Sequence, residues 1–104
     1  MNAAERQFHE EWVAEVEALG PAIKGSLTQF RRRCGKRGCK KCASGEGHLT
    51  WQLSYYVGGV HKNCHVGPGQ LEAVRRALAN GKALEQAMSA NGFKLVKLLK
   101  GKEV

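Results

Sequence analysis

A small α+β fold is predicted by three features of this chain: a helical apolar period at the N-terminus, a glycine-turn β-hairpin in the middle, and helical apolar stripes toward the C-terminus. In residues 3–19, Ala4, Phe8, Trp12, Val16 and Leu19 recur at three- and four-residue steps, which places them on one helix face. The opposite face is acidic, and Gly20-Pro21 stops the run. Leu27 to Arg33 reads as a short strand leading into a cysteine-rich loop, a stretch with few apolar residues punctuated by Gly35, Gly38, Gly45 and Gly47. Leu49–Val57 and Val60–Val66 then form the hairpin, joined by Gly58-Gly59, a pair able to take φ > 0 at both turn positions. That turn sets the register: Val57 faces Val60, Tyr55 faces Lys62, Leu53 faces Cys64 and Trp51 faces Val66. Alternation puts Trp51, Leu53, Tyr55, Val57, Val60, Cys64 and Val66 on a face built for burial. Gln52, Ser54, Tyr56, His61, Asn63 and His65 fall on a face built for water.

Gly67-Pro68-Gly69 ends the hairpin, and residues 70–100 form a helical tail. Leu71, Val74 and Leu78 make one stripe; Leu84, Met88, Leu95, Leu98 and Leu99 make another. Asn80-Gly81 and Asn91-Gly92 are each able to cap or kink the run, which leaves one bent helix or two or three short ones open. With 104 residues the expectation is a single domain, 1–104, in three parts: an acidic amphipathic helix over 1–20, a basic Cys-rich loop with its hairpin over 24–66, and the tail over 70–100.

Charge is the next discriminator. Lys and Arg outnumber Glu by 17 to 9, Asp is absent, and the net charge is +8. Residues 1–20 hold five Glu against one Arg, whereas Lys24 to Lys41 hold eight basic residues and no acid. Such an asymmetry is the electrostatic footprint of a polyanion partner, most often nucleic acid. No apolar run is long enough to span a bilayer, and Met1 to Trp12 is charged rather than signal-like, so a cytoplasmic location without membrane contact is expected.

In that reducing setting, clustered cysteines point to metal more often than to disulfides. Cys34, Cys39, Cys42 and His48 fall within fifteen residues, spaced C-x4-C-x2-C-x5-H. Thiolates and an imidazole at short spacing suit a tetrahedral structural Zn²⁺, because four ligands wrap one ion without a long loop to close. Three thiolates leave the site with one net negative charge, which Lys36, Arg37, Lys40 and Lys41 offset. His48 is the expected fourth ligand and Cys64 its rival; the hairpin register makes Cys64 a packed core thiol instead.

Catalysis finds little support. The acid nearest the cluster is Glu46 in a glycine-flanked loop, no Asp exists for a triad or two-metal site, and no phosphate-cradling Gly-x4-Gly-Lys-Ser/Thr segment is present. The expected function is therefore non-enzymatic nucleic-acid binding, to DNA or RNA, by a zinc-stabilised accessory of a larger machine. Arg31, Arg32, Arg33, Lys36, Arg37, Lys40 and Lys41 would contact phosphates, while Tyr56 with His61 and His65 would offer a stacking surface. The alternative is a zinc-stabilised protein-interaction adaptor that docks a partner through Phe8 and Trp12 or through the Leu71–Leu99 stripes.

Gly25-Ser26-Leu27, Arg32-Arg33-Cys34-Gly35-Lys36-Arg37-Gly38-Cys39, Cys42, Gly45-Glu46-Gly47-His48 and Leu53-Ser54-Tyr55 before Gly58-Gly59 make a specific pattern. Over residues 24–66 the chain resembles a family of small, functionally uncharacterised bacterial and archaeal proteins whose members occur alone or near transposase and other mobile-element genes. The resemblance implies a compact cysteine-rich module with a hairpin and a following helix, and hints at element-associated nucleic-acid work. The family usually spaces its second and third Cys by one residue, where Lys40-Lys41 makes two here, and tends to continue His-Gly-Pro-Tyr where this chain has His48-Leu49-Thr50-Trp51.

Overall fold

The computed structural model describes residues 1–32, 38, 40, 45 and 47–101. Among these the elements run α1 (Ala3–Leu19), β1 (Ser26–Arg32), β2 (His48–Val57), β3 (Val60–Val66) and α2 (Leu71–Lys100), the α+β class that the sequence predicts. The chain divides into two compact units: Lys24–Arg75, which holds the sheet, and Met1–Ile23 with Arg76–Val104, which is helical.

In the sheet unit, the strands form an antiparallel meander in the order β1-β2-β3. The hairpin register is the expected one, with Val57 opposite Val60, Leu53 opposite Cys64 and Trp51 opposite Val66. Gly58 and Gly59 have φ of +55° and +83°, the left-handed pair whose twist matches that of the flanking strands. β1 runs from Ser26, one residue earlier than expected, and pairs with β2 from Ser26↔Ser54 to Arg32↔His48. His48 therefore opens a strand rather than lying in the loop.

Alternation predicts the sides of the hairpin correctly but not their coverage. Leu53 and Val66 are 6% and 4% exposed and are the buried apolar side chains of the sheet. Val57 and Val60, beside the turn, stay more than half exposed, and Cys64 is exposed as well. The expectation of a packed core thiol at Cys64 is thus corrected. β3 is an edge strand, and facing Leu53 across the ladder fixes which side Cys64 is on without covering it. Trp51 is half-buried, with the Arg75 guanidinium 5.1 Å over its ring.

In the helical unit, Asn2 caps α1 by accepting the Glu5 N–H at 2.8 Å, and Gly20 at φ +86° ends the helix. α2 is one unbroken helix of 30 residues. It opens where the Gln70 side chain accepts the Gly67 N–H at 3.1 Å, and closes at Gly101, whose N–H reaches Lys97 O at 3.0 Å. Asn80-Gly81 does not break it, because the pair is a docking point. Ile23 N–H donates to Ala77 O at 2.9 Å, Asn80 Nδ2 donates to Pro21 O at 2.8 Å, and a Cβ on Gly81 would overlap Ile23 O. Asn91 Nδ2 likewise donates to Glu15 Oε2 at 3.0 Å. These contacts run in opposite directions along the two helices, so α1 and α2 are antiparallel. The core is thin: α1 buries no residue, and α2 buries Ala77 and Gly81.

Candidate nucleic-acid and metal interface

The β1–β2 connection begins after Arg32 and returns at Gly47, so its two ends are clamped by the Arg32↔His48 pair. Gly47 is buried at φ +67°, and a Cβ there would meet Arg32 O at 3.0 Å. Both the backbone conformation and the space demand glycine at this closing point. His48 is half-buried directly beside it, on the side of the sheet that also carries Arg32. The other expected ligands, Cys34, Cys39 and Cys42, lie outside the described residues, as do Arg33, Lys36, Arg37 and Lys41. Among the described residues no three side chains cluster to hold a metal.

Of the remaining expected nucleic-acid contacts, Arg31, Arg32 and Lys40 are exposed. Tyr56 is 71% exposed, and its ring lies 5.1 Å from that of His61, tilted by 47°. His65 does not join them. It pairs with Gln52, four residues down β2 from Tyr56, a separation of about 13 Å at the usual strand rise. The Tyr56–His61 pair and the Arg32–His48 end are farther apart still, eight residues along β2 or about 27 Å. Tyr56 and Arg32 thus sit at opposite ends of one sheet face, while Arg31, opposite Leu49, lies on the other face.

Between them the structure places an aromatic that the sequence reading missed. Phe30, opposite Thr50 on β1, is on this same face and 37% exposed. The remaining positions of the face are Ser26, Thr28, Gln52, Ser54 and Asn63, with Ser54 Oγ donating to Asn63 Oδ1 at 2.7 Å. No acid is among them. The signal for Phe30 was its alternation with Arg32 and Thr28, visible only once β1 is known to pair with β2.

A second feature lies in the helical unit: an apolar groove of about 450 Å³ lined by Met1, Phe8, Trp12, Met88, Leu95 and Leu99, with Glu5, His9 and Asn91 at its polar margin. No helix among the described residues is long and apolar enough to cross a membrane.

These features define an α+β protein with a three-stranded meander, a long clamped connection rich in Lys, Arg and Cys, and an antiparallel helical pair. The chain belongs to a family described as a domain of unknown function, DUF6788, which it matches over residues 3–76, covering α1, the whole sheet and the first turn of α2. No curated protein and no solved structure matches it.

Proposed function

We propose that this chain is a small, non-enzymatic, cytoplasmic nucleic-acid-binding protein whose basic connection is ordered by zinc, acting as an accessory of a larger machine such as a mobile-element complex. One observation carries the reading: the charge divides between the two units. Residues 24–75 hold ten Lys/Arg against two Glu, while the helical unit holds seven against seven, so the whole net charge of +8 belongs to the sheet unit. Seven of those ten positives lie at 31–41, on or just after the end of β1. A concentration of this kind releases counterions from a phosphate backbone.

Zinc is supported by the donor chemistry and by the clamp. His48 stands at the closing point of the connection that carries the three thiols. Cys64 is a poor fourth ligand. It pairs with Leu53, five residues or about 17 Å along β2 from His48, and on the opposite face. Cys34 is only two residues beyond Arg32, a reach of about 7 Å, which does not bridge that gap. Bound zinc would supply a fixed loop conformation, so that Lys36, Arg37, Lys40 and Lys41 meet phosphates at a lower ordering cost.

The test is oligonucleotide binding across a salt series. Each phosphate contact contributes a slope of about 0.9 in log affinity against log salt for duplex DNA, and about 0.7 for single strands. Lys36→Glu with Arg37→Glu should weaken binding to all sequences and flatten that slope without unfolding the protein. Unchanged binding in the double variant at equal salt would sink the reading. The adaptor alternative would then lead, since the groove around Phe8, Trp12 and Met88 offers an apolar seat for a partner helix.

A further inference from the structure

Resting on the nucleic-acid reading, we infer that the ligand is single-stranded and lies along the polar face of the sheet, from the Arg32 end to the hairpin tip, with bases stacked on Phe30 and Tyr56. The argument starts from separation. Arg32 stands at one end of this face and the Tyr56–His61 pair about 27 Å away at the other. A ligand that uses both must be extended and must run the length of the strands. Phe30 lies two residues from Arg32, so it is the first aromatic ring met on leaving the basic end.

The chemistry of the face suits a single strand and not a duplex. A duplex keeps the faces of its bases inside the stack, whereas a single strand offers every base to an aromatic ring. A major groove about 12 Å wide admits a helix or a two-stranded ribbon. Three strands spaced about 4.8 Å apart, with side chains, are too broad to enter it. Arg32 is the one Lys or Arg on the described face and no acid opposes it, so the face itself holds bases rather than phosphates. Ser54, Gln52, Asn63 and His65 line the stretch between the two rings with donors and acceptors for base edges. Phosphates are left to the basic connection. The two contributions are thereby separable: one depends on salt and the other does not.

The experiment uses the full chain loaded with zinc and a fluorescently labelled 20-nucleotide oligothymidine, compared with a 20-base-pair duplex. Anisotropy should show the single strand bound at least ten-fold more tightly. Tyr56→Ala and Phe30→Ala should each lower single-strand affinity by roughly five- to a hundred-fold, the range that base–aromatic stacking gives, with the salt slope unchanged. Duplex affinity should be unmoved by either. Phe30→Tyr should restore binding, which separates loss of stacking from loss of packing; Tyr56 is exposed enough that its truncation leaves the fold intact. Equal affinity for duplex, or parental single-strand binding in both alanine variants, overturns the inference while leaving a salt-dependent nucleic-acid protein. Failure of the parent to bind either probe at low salt removes the proposed function itself.

Discussion

The sheet unit and the helical unit solve opposite problems. Residues 24–75 carry all of the net charge, a complete hydrogen-bonded ladder and a connection of fourteen residues from Arg33 to Glu46 whose composition offers almost nothing to bury. The helical unit is neutral overall, with an acidic α1 set against a largely basic α2, and is tied together by a few polar contacts over a thin core. In the first, three thiols and an imidazole are the donors that the proposed zinc would use to order the connection. In the second, order comes from close backbone approach, where one missing methyl group decides whether Ile23 can dock. The contrast says where each unit can be tested: the sheet unit, on the zinc proposal, by loss of a ligand, and the helical unit by gain of a carbon atom.

The largest effect should come from breaking the ligand side of that contrast. Cys39→Ser should take metal content from about one zinc per chain to near none, with loss of tight oligonucleotide binding. Metal analysis of untagged protein and the salt series check it, and zinc retained at the parental level contradicts the ligand set. Next, Gly81→Ala should destabilise by about 3 kcal/mol, because the new Cβ displaces Ile23 O and costs the Ile23–Ala77 and Asn80–Pro21 hydrogen bonds. Zinc content should be unchanged, and a denaturant midpoint equal to the parent's would show that the docking is not as close as described.

Gly92 sharpens the same comparison from the other side. It sits in the same helix, yet a Cβ there meets nothing within 4 Å. Gly92→Ala should therefore stabilise by about 0.5–1 kcal/mol through helix propensity alone, read as a rise in melting temperature. Two glycines in one helix, substituted alike, should move stability in opposite directions. The smallest effect belongs to Cys64→Ala. An exposed edge-strand thiol far from the clamp should change stability by no more than about 0.5 kcal/mol and leave zinc bound. Loss of zinc in that variant would return Cys64 to the ligand set.

What was legible in the sequence was what depends on near neighbours. The Gly58-Gly59 turn fixes the β2–β3 register because its two strands are joined by two residues, and the helix over 3–19 is set by its own period. Asn80-Gly81 left the continuity of the helix open because its meaning lies in Pro21 and Ile23, nearly sixty residues earlier in the chain. Cys64 was misplaced because alternation tells a side chain which face to take, not whether anything covers that face. Phe30 was passed over within a run of arginines, since its neighbours on the sheet come from β2, across the long connection. His48 was read as a loop residue because the pairing partner that draws it into β2 is Arg32, on the other side of the cysteines.

The closure at Gly47 against Arg32 makes the connection a replaceable cassette. Both ends are pinned by the strand pair itself, so residues can be added to or removed from the interior without shifting the register of β1 on β2. Doubling the length of such a closed segment costs only about 0.6 kcal/mol in chain entropy. The clamped ends also mark where a foreign loop could be spliced in, from Arg33 to Glu46, while the same three strands keep their pairing.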